Sequence, residues 1–252
     1  KDVFDKYHFH YINLEECSKH FNVGSKFIYY LIQKKNSKNT NLKIICSYKK
    51  KVYTTLLHQK LLLRDYLPYL LTKESLIILD KIKNNKDANL KIFHSPDNRS
   101  DKKHVLKKLK NENNKDYKKR ANESGYIHPI QATSVQLVYS SKKCTNQTNK
   151  KVLMSESGYL RPFYDGGIIG VGGHCFACLV DNEENGNKII KLLQSKLYRF
   201  YIETNKWSGF HNKVVLQDLP DIVDKLPDIT DKSIYKYFNL TDKEIKNVED
   251  NI

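Results

Sequence analysis

No apolar run in the chain approaches the about 20 residues that a membrane-spanning helix needs, so a membrane partner is not expected. The first residues, Lys1-Asp2-Val3-Phe4, have no charged-then-apolar leader, so secretion is not expected either. The first residue is not Met, and a fragment or processed product is expected. Cysteine occurs five times, an odd number without framework spacing. That points away from a disulfide scaffold and towards a reduced, soluble, intracellular protein, with cytoplasm, nucleus and virion all open. No internal repeat of about 20–50 residues is visible. Apolar residues are also scarce, at 39%. Even so, 17 Tyr, 10 Phe and many Leu and Ile suffice for a core, and wholesale disorder is not expected.

Acidic residues are outnumbered, 28 against 44 Lys and Arg, for a net charge of +16. The charge is segregated. Arg99–Arg120 holds ten Lys/Arg and three Asp/Glu, whereas Asp221–Ile252 holds five Lys and eight Asp/Glu. A basic body beside an acidic tail fits a nucleic-acid binder, because cations on phosphates release counterions. The bland alternative is compositional drift, since Lys and Asn are abundant everywhere, as in proteins from AT-rich genomes.

The chain reads as three parts: a mostly helical 1–85, a basic polar connection 86–124 and an alternating α/β stretch 125–252. The middle part is a long connection or a solvated helix around Lys102–Lys110. In the first part, Asn13 can cap a helix Leu14–Phe21 that buries Leu14, Cys17 and Phe21. Asn22-Val23-Gly24 breaks it, and Ser25 caps a second helix, Lys26–Lys35, burying Ile28, Leu31 and Ile32. Two short helices about a Gly-containing turn predict a helix-turn-helix. Lys26, Tyr29, Tyr30, Gln33 and Lys34 would then line the face available to a major groove. Two β-prone runs, Leu42–Cys46 and Val52–Thr55, flank the basic turn Ser47–Lys51. The whole resembles an excisionase-type winged helix, with Lys49, Lys50 and Lys51 at the wing tip. The alternative is a helical hairpin whose tyrosines pack into the protein.

In the last part, Lys151–Met154 and His174–Val180 read as strands. Asn187–Ile202 reads as one amphipathic helix, and Thr241 with Glu244 forms a capping box. The segment Lys206, Trp207, Ser208, Gly209, Phe210, His211, Asn212, Lys213 crowds stacking, donor and acceptor groups together. Such groups suit bases and phosphates, although Trp207 and Phe210 could equally anchor helices in the core. Tyr159, Arg161 and Tyr164 lie in a Gly-rich segment that is either a DNA-contacting loop or a structural turn.

The pieces Lys151–Ser155, Ser157-Gly158-Tyr159, Pro162–Asp165, Leu193–Tyr198, Lys206–Asn212, Leu219-Pro220 and Ile234–Thr241 follow one another in a telling order. They resemble the C-terminal target-recognition region of Eco57I-like restriction-modification enzymes and N6-adenine DNA methyltransferases. The resemblance covers roughly residues 125–252. It implies a domain that reads double-stranded DNA beside a methyltransferase or nuclease domain or subunit. The expected fold class is therefore α+β, a winged helix-turn-helix-like module followed by a mixed α/β target-recognition-like domain.

Catalytic parts of that family are missing. There is no Gly-rich loop opening a helix for S-adenosylmethionine and no Pro-Pro-aromatic motif for a flipped base. Gly166–Gly173 precedes a strand instead. Glu244-Ile245-Lys246 matches an acid-x-Lys nuclease motif by letter only, since it and Asp228 fall in a helical tail, and His211-Asn212 is too little for a nuclease. Cys175 and Cys178 have Cys-x-x-Cys spacing without a second ligand pair, so core packing is the better reading. No cofactor, metal or catalytic residue is expected in this chain. The runner-up functions are a structural or assembly protein, for example viral, that reuses a recognition fold, and a nuclease with an unrecognised active site.

Overall fold

The computed structural model describes residues 6–15, 20, 28–34, 41–62, 66–94, 104–158, 160–207 and 209–252. Its strands are β1 (His8–Asn13), β2 (Tyr29–Gln33), β3 (Asn41–Tyr48), β4 (Lys51–His58), β5 (Ile92–His94), β6 (Val105–Leu106), β7 (His128–Gln131), β8 (Leu137–Ser140), β9 (Lys151–Ser155), β10 (Phe163–Asp165), β11 (Gly170–Val171) and β12 (Cys175–Leu179). Its helices are α1 (Lys73–Lys83), α2 (Asn114–Glu123), α3 (Glu183–Gln194), α4 (Lys196–Thr204), α5 (Lys213–Gln217), α6 (Asp231–Tyr237) and α7 (Asp242–Asp250). The class is α+β. Contacts divide the chain into two compact units, unlike the contiguous segments expected from composition. The first joins Lys1–Lys86, Lys196–Gly209 and Asp231–Ile252, and the second joins Asp87–Ser195 and Phe210–Thr230.

The first unit holds a four-stranded sheet in the order β2-β1-β3-β4. β1 runs parallel to β3, while β1–β2 and β3–β4 are antiparallel. Strict alternation on β3 buries Leu42, Ile44, Cys46 and Tyr48 and exposes Asn41 and Lys43, the period-2 pattern of a sheet with one core face. The β3–β4 hairpin is the one expected from the two β-prone runs. Its two turn residues, Lys49 and Lys50, have φ of 47° and 66°. Two left-handed residues in a two-residue loop match the twist of the flanking strands.

The helical first module is corrected in part. Tyr29–Gln33, expected within a recognition helix, is strand β2, paired antiparallel with β1. Four consecutive apolar or aromatic residues carry no periodicity that separates helix from strand, and Tyr and Ile favour the pleat. Most of the expected first helix, and Lys26, lie outside the described residues.

Around this sheet the unit gathers helices from both ends of the chain. Thr72 and Ser75 form a capping box on α1, which buries Leu76, Ile78, Leu79 and Ile82. α7 packs against α1, and α4 packs against α6 and α7. The Thr241–Glu244 capping box is present on α7, and Glu244 also accepts from Lys81 Nζ at 2.7 Å. Tyr53 Oη donates to Asn251 Oδ1 at 3.0 Å, and Tyr69 N donates to Thr204 O at 2.6 Å.

The second unit contains two four-stranded sheets, β10-β9-β12-β5 and β11-β7-β8-β6. Leu153, Val171, Cys175 and Ala177 form one buried cluster, with Phe93, Phe163 and Ile169 against it. The expected single helix 187–202 is two helices, because Ser195 adopts an extended backbone (φ −60°, ψ 151°) between α3 and α4. α3 also starts earlier than expected, at Glu183, with Asn182 as its cap accepting from Asn185 N. The polar connection is not a helix around Lys102–Lys110: Val105–Leu106 is a strand, and the helix, α2, begins at Asn114.

One buried ion pair organises the turns of this unit. Lys151 Nζ, fully buried, lies 2.6 Å from Asp165 Oδ2 and also donates to Gln147 O and Asn149 O. Asp165 in turn accepts from the backbone N–H groups of Gly167, Ile168 and Ile169. Every proton of the ammonium has an acceptor, so the desolvated charges are matched. Gly167 makes the turn possible: its φ is +97°, and a Cβ there would meet Thr148 O at 2.5 Å.

Candidate nucleic-acid interface

In the second unit the turn after β9 and the segment before α5 are zipped together. Ser155 N and Oγ both donate to Leu160 O, closing a tight loop. Ser157 and Phe210 form an antiparallel bridge, and His211 N donates to Glu156 O at 2.6 Å. The His211 ring is buried, with Nε2 3.1 Å from Gly158 O. Glu156–Gly158 and Phe210–His211, about 50 residues apart, thereby lie side by side. Arg161, Asn212 and Lys213, further along the two segments, are exposed, as are Phe210 and Val214. Arg161 has φ of 43°, a left-handed conformation uncommon for a non-glycine residue.

Not every residue of these loops is available to a partner. Asn212 caps α5, its Oδ1 accepting from Val214 N at 2.9 Å. A bidentate contact to adenine would require it to give up that cap. His211 holds the loop rather than facing outward. The Tyr164 ring lies against α3 at Gly186, where an added Cβ would come within 2.6 Å of Tyr164 Cδ2. Its position is that of a packing residue. Tyr159 and Ser208 lie outside the described residues.

Sequence reading missed His174 as a loop residue. Its Nδ1 lies 2.9 Å from Glu156 Oε2, and Glu156 N donates to His174 O. The exposed His174 ring therefore borders the same loops. No spacing rule links residues 18 positions apart on a loop and a strand end, so only the fold reveals the pair.

Lys206 and Trp207 belong to the first unit, so the compact motif 206–213 is divided at the Gly209–Phe210 junction. Trp207 is an anchor: Nε1 donates to Leu67 O at 2.6 Å, and its ring stands edge-on to Tyr69 at 5.3 Å. Lys206 is half-buried.

The remaining expected contacts lie on the first unit's sheet. Strands β1 to β4 contain no Asp or Glu. Lys49, Lys50 and Lys51 are exposed at the β3–β4 tip. Tyr29, Tyr30, Gln33 and Lys34 are exposed along and just after β2. Asn13 Nδ2 donates to the Tyr29 hydroxyl at 3.1 Å, and Gln33 Oε1 lies 2.9 Å from His10 Nε2. Here aromatic, cationic and amide groups share one acid-free sheet.

Chemistry is not favoured at the motifs weighed for it. Glu244 is held by Thr241 and Lys81 at a helix start. Cys175 and Cys178 are three apart on β12 and so point to opposite faces of the sheet. Burial pushes their thiols up to about 12 and about 11, the behaviour of core residues. Among the described residues no cluster of three or more His, Cys, Asp or Glu could hold a metal ion, and no helix is long and apolar enough to cross a membrane.

No family model matches the chain, and no curated protein does. Among solved structures it is similar to the type IIL restriction-modification enzyme MmeI in complex with DNA, with a TM-score of 0.49 and 7% identity. The match covers 98% of this chain and 42% of that one.

Proposed function

We propose that the chain binds double-stranded DNA with sequence preference, as the specificity part of a restriction-modification type enzyme or a diverged remnant of one. The observation that carries this reading is the pairing of Glu156–Gly158 with Phe210–His211, after which Arg161 and Lys213 follow as exposed cations of one compact unit. Arg and Lys are the side chains that pair with guanine edges and phosphates. The Lys49–Lys51 tip and the Tyr29–Lys34 edge supply further contacts from the acid-free sheet. Methyl transfer or cleavage would come from a partner domain or subunit. The test is titration of labelled duplex DNA at several salt concentrations. Binding at about 50 mM salt that weakens as salt rises supports the reading, and absence of either defeats it. Selection from a random duplex pool then separates sequence preference from general affinity.

One observation favours a second reading, a structural or assembly protein. All five residues of β2 are exposed, and Tyr29, Tyr30, Leu31 and Ile32 among them are aromatic or apolar. Sedimentation of the purified chain discriminates: concentration-dependent self-association without DNA affinity fits assembly.

A further inference from the structure

Helix α2 groups three exposed lysines on one side. At 100° per residue, Lys115, Lys118, Lys119 and Asn122 fall within one arc of about 100°, and all four are exposed. Tyr117 and Ala121 lie opposite and are buried. The outer residues of α3 mix Glu183, Glu184, Lys188 and Lys191, and those of α7 mix Asp242, Lys243, Lys246, Glu249 and Asp250. The acids of α2 are already engaged. Glu112, in the preceding turn, takes a two-pronged contact from Arg120 (2.8 and 2.9 Å), which holds its carboxyl down to about 2. Asp116 accepts from Asn113 Nδ2 at 2.7 Å, and Glu123 lies 4.0 Å from Lys119.

The helix is also a fixed platform. The Tyr117 hydroxyl donates to Leu106 O, and its ring stands edge-on to Tyr139 at 5.2 Å. Arg120 Nη2 donates to Lys107 O at 2.8 Å, and Lys108 Nζ donates to Asn114 Oδ1 at 2.6 Å. Lysines 107 and 108 are thus tied to the same helix and extend its positive field.

Resting on the DNA-binding reading above, we propose that the Lys115–Lys118–Lys119 face of α2 is a backbone contact for duplex DNA. Lys115 and Lys119 are separated by ~6 Å of helix rise. Phosphates of one strand recur about every 3.4 Å along the duplex axis, so three lysines on this face match two or three consecutive phosphates. Such contacts fix orientation and carry salt dependence, while the loops at Arg161 and Lys213 carry preference.

The test compares K115Q/K118Q/K119Q with a control of equal charge loss, K232Q/K236Q/K246Q, whose residues are also exposed. Duplex DNA affinity is measured across salt concentrations, and circular dichroism checks folding. The α2 variant is expected to lose roughly 2 to 3 units of the slope of log affinity against log salt, and on the order of 100-fold affinity at 0.1 M salt. The control keeps the parent slope, and K115R/K118R/K119R, which keeps the charge, does too. If the parent binds and the α2 variant binds equally, or if both charge-loss variants fall alike, the inference is overturned while DNA binding stands. A parent that binds no DNA overturns both.

Discussion

At Lys151 the chain has placed an ammonium where water cannot reach, and it survives because three acceptors surround it. Removing one partner leaves the other charge desolvated, which costs about 3–5 kcal/mol. Lys151→Met and Asp165→Asn are each expected to lower the unfolding free energy of the second unit by that order, read from the midpoint and slope of urea unfolding. The double change to an apolar pair should recover part of the loss, and a single variant as stable as the parent would contradict the assignment. Glu244 makes the same kind of argument in pH. Burial pushes its carboxyl up, but Lys81 and the Thr241 hydrogen bonds outweigh burial and hold it below its ordinary value. A depressed folded pKa contributes stability that is full above the unfolded value of about 4.5 and is lost as pH falls through the folded one. Thermal melts between pH 7 and pH 3 should show a steeper acid-side loss in the parent than in Lys81→Met.

At the scale of elements, the readable parts are those where one local pattern had one solution. The β3–β4 hairpin follows from two β-prone runs about a basic turn, the α7 cap from Thr241 and Glu244, and β9 and β12 from short apolar runs. The helix-turn-helix failed over Tyr29–Gln33 because an unbroken apolar run has no period of its own, and pairing with β1 decided it. The break at Ser195 was hidden for another reason. Asp231 Oδ1 caps Lys196 N at 2.7 Å, and a contact across 35 residues leaves no trace in local periodicity. At the candidate site, Arg161 and Lys213 were visible as residue types, but the pairing of the segments that precede them depends on the Ser157–Phe210 bridge. The tip of the hairpin suggests a trade between stability and binding. Lysines at two left-handed positions strain the backbone by about 1–3 kcal/mol each. Replacing Lys49-Lys50 with Asn-Gly should raise thermal stability, since those residues adopt this turn readily. The same change should weaken duplex binding and reduce its salt slope by roughly 2 units, as two phosphate-reaching charges are lost. Unchanged binding would remove the tip from the interface.

At the scale of the molecule, the chain passes between its two units three times after first leaving the N-terminal one, so neither is a simple stretch of sequence. Composition could not show this, because the acidic C-terminal tail and the Leu- and Tyr-rich N-terminus look unrelated until α7 is seen against α1. The consequence is a directional effect of truncation. Deleting Asp231–Ile252 removes α6 and α7, the Lys81–Glu244 pair and the Tyr53–Asn251 hydrogen bond, all within the first unit. It removes nothing from the buried Leu153, Val171, Cys175 and Ala177 cluster of the second. Hydrogen exchange on the truncated chain should therefore show lost protection across β3, β4 and α1, with β9 and β12 still slow. Because Arg161, Lys213 and α2 all belong to the second unit, salt-dependent DNA binding should persist in the truncated chain after protection in the first unit has gone. Loss of protection confined to β9 and β12, or full protection of α1, would show that the division of the core has been drawn in the wrong place.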